Sequence, residues 1–460
     1  MGAVLSAPTF LLEPMKKINI LIDVDKTFIP KAEYVFSTFC RVYSLECTFY
    51  FEHHDDIHIY YGNNTQAVYP FHIFHNQISV DFFVKKEVFP FENIIFKDYT
   101  GVNLPFLFTD SEKPIIEKNI ISVDLIASAF YFLSCWQETF DPQLNTDKNG
   151  RYDFYHSLQH KGEFSEIPIV DYYFKIIADF FKIENKRQFS VFLSHDVDYV
   201  DFFSKDYLKH IYKQNFKRIL KYPLHAIYKI LGHFFTKHFF YNPYNQIKKI
   251  IKKEINLGFK STFFLMTHSC SNDVRQNYFQ DKTIVGRLLN IFKDSFVGLH
   301  GTKVAHLDEN LLKEQWQLLA DFKPDSYRNH FLCFDYQKTF KILENLGIKK
   351  DATLGYHEHI GFRAGISTPF YPYNLSDDRE FKVLEIPLII MDTTLFSPSK
   401  MNLSYSQAKK KCFTIIKHLK KVNGQLSLLW HNNSFDIIEY RWLGKLYWDL
   451  IKKSTCTSNV

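Results

Sequence analysis

A chain of 460 residues is longer than one hydrophobic core normally supports, so its length predicts two domains. The formal net charge is only +6, and the sequence contains no RNA-binding or zinc-finger pattern, which argues against nucleic acid as a partner. No apolar run reaches the roughly 20 residues that a membrane-spanning helix needs.

The cysteines and the N terminus bear on the cellular compartment. The seven Cys are odd in number and form no CxxC pair, so they indicate reduced, mostly buried thiols and not a disulfide framework or a zinc ribbon. The first 14 residues lack the basic segment that opens an export signal, and Met15 would make a natural start. We therefore expect a cytoplasmic protein in which residues 1–14 take no part in the fold.

The segment from residue 15 to residue 186 mixes short strands with helices and predicts a smaller α/β N-terminal domain. Residues 123–140 have the apolar spacing of a helix. Three other segments alternate or run apolar as strands do, namely residues 18–22, 57–61 and 78–82. No group of residues in this segment forms a pattern typical of a site, so we expect a scaffold that packs beside the second domain or mediates assembly.

Two carboxylates, Asp196 and Asp198, follow the apolar residues 189–193. A strand that ends there presents both side chains at its carboxyl end, where parallel α/β folds and barrels place their active sites. With two acids so close, one is able to bind a divalent metal ion while the other, free of the metal, takes a proton from a water molecule. The alternative interpretation is an ordinary Asp-rich turn that caps the next helix.

Residues 205–253 form a long and basic connection, with twelve Lys or Arg against one acid, Asp206. Apolar residues recur at helical spacing on both sides of Pro223, which predicts two amphipathic helices in an insertion at about 204–245. A basic hairpin of this kind favours an anionic membrane surface or the pyrophosphate of a lipid-linked sugar. The alternative is that its apolar face packs on the protein and its lysines are solvated.

Further polar residues follow short apolar segments towards the C terminus, and stretches of helical periodicity separate them. Those that we consider are His300, Arg328, Asp351 and His431. Histidine is the commonest metal ligand among the side chains. The alternation of β-like segments with helices predicts a (β/α) barrel whose site lies at the ends of its strands.

This order of residues resembles the polysaccharide deacetylase family, the NodB-homology domain of the family 4 carbohydrate esterases. The resemblance covers about residues 187–450, and only the order and strand-end placement of five short motifs make it specific. It implies a C-terminal (β/α)7 barrel over residues 187–455, preceded by the smaller α/β N-terminal domain of residues 15–186. It also implies that Asp196 is the catalytic base, and that Asp198 and His300 bind a divalent metal, expected to be Zn²⁺.

The later motifs carry further implied roles. Arg328 would orient the base, and His431 would act as general acid. Asp351 would match the acid of the fourth motif and orient His431. For substrate binding we consider Trp430 and Arg363; the latter lies between two glycines and would hold an anionic or acyl group of the substrate, or form a structural salt bridge.

The second motif departs from the family pattern. It requires a second histidine four residues after His300, but position 304 is Val. Our preferred third metal ligand is His330, two residues after Arg328, because alternate residues of a strand point to the same side. The alternative is His306, which on an α-helix would lie about 240° round from His300 and would have to reach back from a loop.

The resemblance extends to a Bacteroidota-type branch of deacetylase-like proteins with an extra N-terminal domain. The runs that carry it are residues 351–356, 361–365, 369–370 and 386–392, together with residues 124–134, Trp136 and Glu138 of the N-terminal domain. It implies removal of an N-acetyl or other acyl group from an amino sugar of a surface polysaccharide or lipid-linked glycan. The expected partner is therefore an acylated carbohydrate, and the expected location is cytoplasmic or membrane-peripheral through the basic insertion.

Two alternatives to this function remain at the level of sequence. A catalytically degenerate barrel would act as a glycan-binding or scaffold module, and the missing histidine at position 304 favours this interpretation because a site with two ligands binds metal weakly. The second alternative is a different hydrolase on the same barrel, namely a phosphoesterase or a glycoside hydrolase. Release of acetate from an intact sugar chain would distinguish deacetylation from both.

Overall fold

A computed structural model shows how these segments fold. It describes residues 16–64, 66, 68–109, 116–117, 119–141, 146–147, 149–200, 223–224, 227, 243–269, 278–435 and 441–455. The predicted basic insertion at about 204–245 lies almost entirely outside the described residues. Within these ranges, every helix is too short or too polar to cross a lipid bilayer.

The N-terminal part contains a mostly parallel sheet. Its strands are β1 (Lys17–Asp23), β2 (Glu46–Tyr50), β3 (Ile59–Gly62), β4 (Phe71–Phe74), β5 (Ile95–Tyr99), β6 (Val102–Phe106), β7 (Ile116–Glu117) and β8 (Ile120–Ile121). Six of them form one sheet in the order β2-β1-β3-β4-β8-β7, in which only β7 and β8 pair antiparallel. The remaining two, β5 and β6, form an antiparallel hairpin.

The helices of this part pack against that sheet and against one another. They are α1 (Ile29–Tyr43), α2 (Gln77–Val84), α3 (Leu125–Leu133), α4 (Trp136–Phe140), α5 (Leu158–Lys161) and α6 (Ile169–Phe180), with 3-10 turns at Phe91–Asn93 and Phe154–His156. Every residue of α3 is buried, which explains its almost wholly apolar sequence. The helical segment predicted at residues 123–140 is interrupted at Cys135, whose φ of 47° is left-handed.

The strand predicted at residues 78–82 is wrong, because this segment forms α2. The side chain of Asn76 accepts a hydrogen bond from the Ile78 backbone and caps the helix. The buried carboxylate of Asp124 accepts hydrogen bonds from the Asn76 backbone, at 2.9 Å, and from the Ser79 hydroxyl, at 3.1 Å. A tertiary contact from a residue far along the chain therefore fixes the helix, and a local apolar run does not reveal it.

The second part contains an eight-stranded sheet in which every pair is parallel. The strands from residue 190 onwards are β9 (Ser190–Val197), β10 (Thr262–Leu265), β11 (Phe296–Gly301), β12 (Ser326–Asn329), β13 (Lys350–Asp351), β14 (Tyr373–Asn374), β15 (Arg379–Glu380), β16 (Leu384–Glu385), β17 (Ile390–Met391) and β18 (Gln425–Leu429). The sheet order is β16-β13-β12-β11-β10-β9-β18-β17, and β14 pairs with β15 in a separate antiparallel ribbon.

Helices connect most of these strands, whereas β13, β16 and β17 follow one another without a helix between them. They are α7 (Pro243–Asn256), α8 (Lys282–Phe292), α9 (Glu309–Leu318), α10 (Tyr336–Asn345), α11 (Asp392–Phe396), α12 (Tyr405–Lys421) and α13 (Arg441–Thr455). Short 3-10 turns occupy Tyr278–Gln280, Ala305–Leu307, Ala320–Phe322, His330–Leu332 and Asn432–Phe435. The mixed α/β class predicted from the sequence is therefore confirmed.

The parallel sheet is curled. Its two edge strands, β16 and β17, are separated in the chain by residues 386–389 alone. A link from Glu385 to Ile390 spans at most about 18 Å when fully extended. Seven spacings between neighbouring strands of a flat sheet would cover about 34 Å. The short link therefore draws the two edges towards each other, so the carboxyl ends of the strands surround a common space.

The two parts share a hydrophobic core. One contiguous cluster of buried side chains contains Ile20 and Phe130 from the N-terminal part together with Leu299 and Phe340 from the second part. Polar contacts cross the same boundary, for example a hydrogen bond of 2.9 Å that the Tyr336 hydroxyl donates to the carbonyl oxygen of Leu133. The N-terminal part therefore helps to hold the curled sheet in place.

Candidate metal centre and active site

The candidate site lies at the carboxyl ends of β9, β11 and β12. Asp196 lies in β9, and Asp198 directly follows its last residue. His300 lies in β11, in register with Arg328 of β12. Because the strands are parallel, their carboxyl ends meet at one edge of the sheet, and these side chains converge there.

Three of the predicted metal ligands form a cluster, namely Asp198, His300 and His330, with one ligand atom from each within 4.8 Å of the others. Asp198 Oδ1 lies 3.4 Å from His300 Nε2, and Asp198 Oδ2 lies 3.8 Å from His330 Nε2. Both atoms of the first pair are buried and have no hydrogen-bond partner in the described part of the chain.

These separations fit a shared divalent ion. Oxygen and nitrogen ligands about 2.1 Å from a tetrahedral Zn²⁺ lie about 3.4 Å from one another. The His300 ring is oriented for this, because its Nδ1 lies 3.1 Å from the carbonyl oxygen of Arg328, which leaves Nε2 facing the cluster. One carboxylate and two imidazoles are a ligand set that several divalent metals accept, so the geometry supports a metal but not one particular element.

The charges of the cluster favour a deprotonated carboxylate at Asp198 beside a neutral imidazole at His330. Burial acts to raise the pKa of Asp198, but the neighbouring His330, His300 and His431 lower it well below its usual range. Burial lowers the pKa of His330 to about 4. Burial acts in the same direction on His300, but Asp196 and Asp198 raise its pKa above the ordinary value.

His330 owes its position to an unusual turn. It begins the 3-10 turn His330–Leu332, in which Phe331 and Leu332 have φ angles of 61° and 55°. Non-glycine residues rarely adopt such left-handed angles, and pairs of them occur where the surrounding structure holds a strained conformation. The Phe331 ring stacks on the His330 imidazole at a centroid distance of 3.9 Å.

His306, the alternative third ligand, lies elsewhere. Its Nδ1 is 2.9 Å from the carbonyl oxygen of Lys303, and its side chain lines a separate cavity with Glu138 and Asp335. Burial lowers its pKa. Position 304, where the family pattern has histidine, carries an exposed Val. The structure therefore brings His330, and not His306, to Asp198 and His300.

Arg328 holds Asp196. Its Nη1 donates hydrogen bonds to Asp196 Oδ1 at 3.0 Å and to the Ser194 hydroxyl at 2.9 Å. Its Nε donates to the carbonyl oxygen of Ala352, and its guanidinium lies over the Phe264 ring at 4.2 Å. The second carboxylate oxygen of Asp196 lies 3.5 Å from His300 Nε2, so this carboxylate adjoins the cluster while its orientation is fixed by the arginine.

The residue that contacts His431 is Asp392, and the prediction of Asp351 for this role is wrong. His431 Nδ1 lies 2.8 Å from Asp392 Oδ1, and the His431 backbone N–H donates to Asp392 Oδ2, also at 2.8 Å. Asp392 is the first residue of α11, directly after β17. The sequence offered the same signal here as at the other positions, an acid directly after a short apolar run.

Asp351 lies instead in a buried pair with Glu385. The Thr353 hydroxyl donates to Asp351 Oδ1 at 2.6 Å, and the Leu354 backbone donates to Glu385 Oε1 at 3.1 Å. Burial, followed by the nearby Asp351 charge, raises the pKa of Glu385 well above its usual range, and burial raises the pKa of Asp351. Two carboxyl groups in this situation share a proton, and neither is available to His431.

The electrostatics keep His431 protonated. Burial acts to lower its pKa, but Asp392, followed by Asp198 and Asp196, raises it to about 9. Its Nε2 lies 3.9 Å from Asp198 Oδ2, so the imidazolium faces the metal cluster. A protonated imidazole beside a basic carboxylate is the arrangement that general acid and base chemistry requires.

A cavity of about 260 Å³ opens over these residues, and its walls include Asp196, Asp198, His330 and His431. Neither predicted substrate-binding residue belongs to it. Trp430 is fully buried, because its backbone pairs with β9 and its ring packs on Tyr447, so it cannot contact a ligand in the cavity.

Arg363 forms the structural salt bridge that the sequence left as its alternative role. Its Nη2 is paired with the Glu138 carboxylate of α4, and its Nη1 donates to the carbonyl oxygen of Gly355 at 3.1 Å. The adjoining Phe362 backbone donates to the carbonyl oxygen of Ser165 at 2.8 Å. Residues 361–365 therefore join the two parts of the protein. The prediction that Arg363 contacts a substrate is wrong, because its guanidinium is paired with Glu138.

Comparison with known proteins adds little to this geometry. The profile described as "Family of unknown function (DUF7033)" matches residues 20–186, which is the N-terminal part. No curated protein matches the chain. Among solved structures, a protein from Mycobacterium smegmatis assigned to the polysaccharide deacetylases is similar at 13% sequence identity and a TM-score of 0.37, over 58% of this chain and 84% of that one. A likeness at this level establishes neither fold nor function, so the site stands on its own residues.

Proposed function

We propose that this chain is a metal-dependent hydrolase that removes an acyl group, most often acetyl, from the nitrogen of an amino sugar. The observation that carries the proposal is the cluster of Asp198, His300 and His330, flanked by a carboxylate held by arginine and an imidazolium held by carboxylate. In this proposal residues 187–455 form a deacetylase-type (β/α)7 barrel and residues 15–186 an accessory domain.

The residues that would hold the metal are the three of the cluster. A bound divalent ion, for which Zn²⁺ is our proposal, would polarise the amide carbonyl and lower the pKa of a water molecule. Asp196 lies beside this position, with one oxygen bound by Arg328 and the other directed towards His300. It would take the proton of the attacking water, and the arginine would keep it oriented.

His431 would donate a proton to the departing amine. Its position is fixed by two hydrogen bonds to Asp392, and those same contacts keep it protonated at neutral pH. Asp196 and His431 both line the cavity, so an amide bond placed there would have a base and an acid within reach. Amide hydrolysis needs this pair, because an amine leaves readily only when it is protonated.

The alternative function is a glycan-binding or scaffold module on a degenerate site. Val304 favours it, since the histidine of the family pattern is absent there. In that case the cluster would bind metal weakly, and neither Asp196 nor His431 would be required for ligand binding. Metal content therefore discriminates between the two functions before any substrate is known.

The test is elemental analysis of the purified protein and of single variants. We expect about one equivalent of a divalent metal in the wild type and its loss in Asp198→Ala, His300→Ala and His330→Ala. The matched control is His306→Ala, which removes a buried histidine outside the cluster and should keep the metal. N-acetylated amino sugars would then be screened for acetate release. No metal after reconstitution, or equal loss in His306→Ala, would contradict the hydrolase proposal.

A further inference from the structure

A lysine that the proposed mechanism does not use lines the same cavity. Lys400 follows α11 in the chain, and its Nζ donates a hydrogen bond of 3.1 Å to the Thr393 hydroxyl. His357 and Phe396 also contribute to the cavity wall. A substrate whose amide reached the metal cluster would therefore share this space with an ammonium group.

The charged groups that act on Lys400 are Asp392, Arg151 and Glu358. Each carboxylate already contacts a histidine, and the pKa of His431 is raised whereas burial lowers the pKa of His357. Asp392 Oδ1 lies 2.8 Å from His431 Nδ1, and Glu358 Oε1 lies 3.6 Å from His357 Nδ1. Of the residues that the structure describes, none forms an ion pair with Lys400. Among the described residues, Lys400 is therefore a cationic group of this cavity that has no carboxylate within ion-pair distance.

The ammonium retains both its charge and free hydrogen-bonding capacity. An ammonium group has three donors, and the bond to Thr393 occupies one of them. Burial lowers the pKa of Lys400 to about 8, so most of the population is charged at pH 7. Partial burial makes an unpaired charge unfavourable, and an anion from a ligand would remove that penalty.

We propose that Lys400 binds an anionic substituent, a phosphate or a carboxylate, on the acylated sugar that occupies the cavity. The inference rests on the proposed function for the position of the sugar, and it narrows the substrate class from any acylated amino sugar to an anionic one. The cavity of about 260 Å³ is near the lower limit for ligand sites, so the anion would be carried on the same sugar unit as the amide or next to it.

The remaining carboxylates of the cavity do not oppose this. Asp196 is paired with Arg328 at 3.0 Å, and Asp198 lies within 4 Å of three histidines, at 3.4, 3.8 and 3.9 Å. A divalent ion in the cluster would add positive charge to the cavity. The acids that line it therefore each have a positively charged neighbour, whereas Lys400 has no ion-pair partner among the described residues.

The test compares the binding of neutral and anionic sugars to the full chain by isothermal titration calorimetry. The probes are N-acetylglucosamine, its 1-phosphate and 6-phosphate, and N-acetylmuramic acid, which carries a carboxylate. We expect an anionic probe to bind at least about tenfold more tightly than the neutral sugar, as a charge-assisted hydrogen bond provides. Whether the phosphates or the carboxylate show the preference identifies the anion.

Two variants and a control assign the preference to Lys400. In Lys400→Met the ratio of the affinity for the anionic sugar to that for the neutral sugar should fall to about one. Lys400→Arg keeps the positive charge and should retain most of the preference for the anionic sugar. The matched control is Lys410→Met, which removes an exposed lysine of α12 and should behave as the wild type. Thermal unfolding of each variant checks that it is folded, and the wild-type comparison is decisive even where Lys400→Met fails to fold.

The inference is overturned if the wild type binds neutral and anionic sugars equally, if it binds neither anionic class at millimolar concentration, or if folded Lys400→Met keeps the preference. Failure of the proposed function looks different. The protein could prefer anionic sugars, and lose that preference in Lys400→Met, yet bind no metal and release no acetate. That result would support the anion site and contradict the hydrolase proposal. Equal acetate release from neutral and anionic sugars would support the hydrolase proposal and contradict the anion site.

Discussion

The guanidinium of Arg151 donates a hydrogen bond of 2.9 Å from Nη1 to the carbonyl oxygen of Phe331. Arg151 comes from the N-terminal part and is itself held by the Asp147 carboxylate, whereas Phe331 follows the candidate ligand His330 in its left-handed turn. The Arg151 side chain is buried, and the bond, which is partly buried, crosses between the two parts of the protein. A side chain outside the curled sheet thus fixes the backbone that carries the third ligand.

Replacing Arg151 by Met should weaken metal binding without removing a ligand. The turn at Phe331 would lose the contact that offsets its strain, and supporting contacts of this kind commonly change metal affinity by about 10- to 100-fold. Metal titration of the apoprotein measures the effect. Arg41→Met is the control, because Arg41 forms an ion pair with Glu380 away from the cluster. Equal metal affinity in wild type and Arg151→Met would show that the turn needs no such support.

Asp392→Asn should lower the pKa of His431, because the carboxylate that most strongly favours the imidazolium is removed. Acetate release should fall by about 10- to 100-fold with the metal content unchanged. The pKa is read from the pH dependence of the His431 imidazole signal by NMR. Asp351→Asn is the informative comparison, because the sequence analysis assigned to Asp351 the role of orienting His431. A fall in the His431 pKa in Asp351→Asn, with none in Asp392→Asn, would reverse our assignment.

The Asp351–Glu385 pair predicts a decline of stability with rising pH. Both carboxyl groups have raised pKa values in the folded protein, so the fold retains protons that the unfolded chain releases above about pH 4. Their contribution is complete below that pH and is lost as pH rises through the folded pKa values. In Glu385→Gln the side chain at position 385 cannot ionise. The thermal midpoint of this variant should therefore fall less between pH 5 and pH 9 than that of the wild type, by about a few degrees.

The control for that experiment is Glu92→Gln, which changes an exposed carboxylate and should follow the wild type. Circular dichroism melts at each pH supply the midpoints. Parallel curves for the wild type and Glu385→Gln would mean that the buried pair does not retain its proton.

Gly361→Ala should destabilise the protein, by about 2 to 4 kcal/mol. Gly361 has a φ of 135°, and an added Cβ would lie 2.2 Å from the carbonyl oxygen of Ser165. The control is Gly286→Ala in α8, where nothing lies within 4 Å of the new atom. That change should be neutral or stabilise by up to about 1 kcal/mol. Urea unfolding monitored by fluorescence compares the two, and similar midpoints for both variants would contradict the contact.

The sequence predicted several parallel strands of the second part, because a polar residue lies at or near the end of a short apolar run in each of them. That signal located Asp198, His300 and Arg328, and the spacing of two residues ranked His330 above His306. It could not distinguish Asp351 from Asp392, since one ends a short strand and the other directly follows one, and only the sheet order places Asp392 beside His431.

Other features depend on tertiary contacts that no local pattern reveals. Residues 78–82 are apolar enough for a strand, yet the Asp124 carboxylate fixes them as a helix. Arg363 between glycines is typical of a loop that binds anions, yet Glu138 occupies it. The left-handed angle of Phe331 and the support from Arg151 also have no sequence signal, because they arise from packing between segments 180 residues apart.

The common hydrophobic core has a consequence for how this protein can be divided. An excised second part would expose side chains such as Tyr373, whose ring packs on Tyr34 and Phe130 of the first part at centroid distances of 4.9 and 5.0 Å. It would also lack Arg151, which donates a hydrogen bond to the turn that carries His330, and Glu138, which forms the salt bridge with Arg363. We therefore expect the second part to be unstable when it is expressed alone, and the two parts to need expression as one chain.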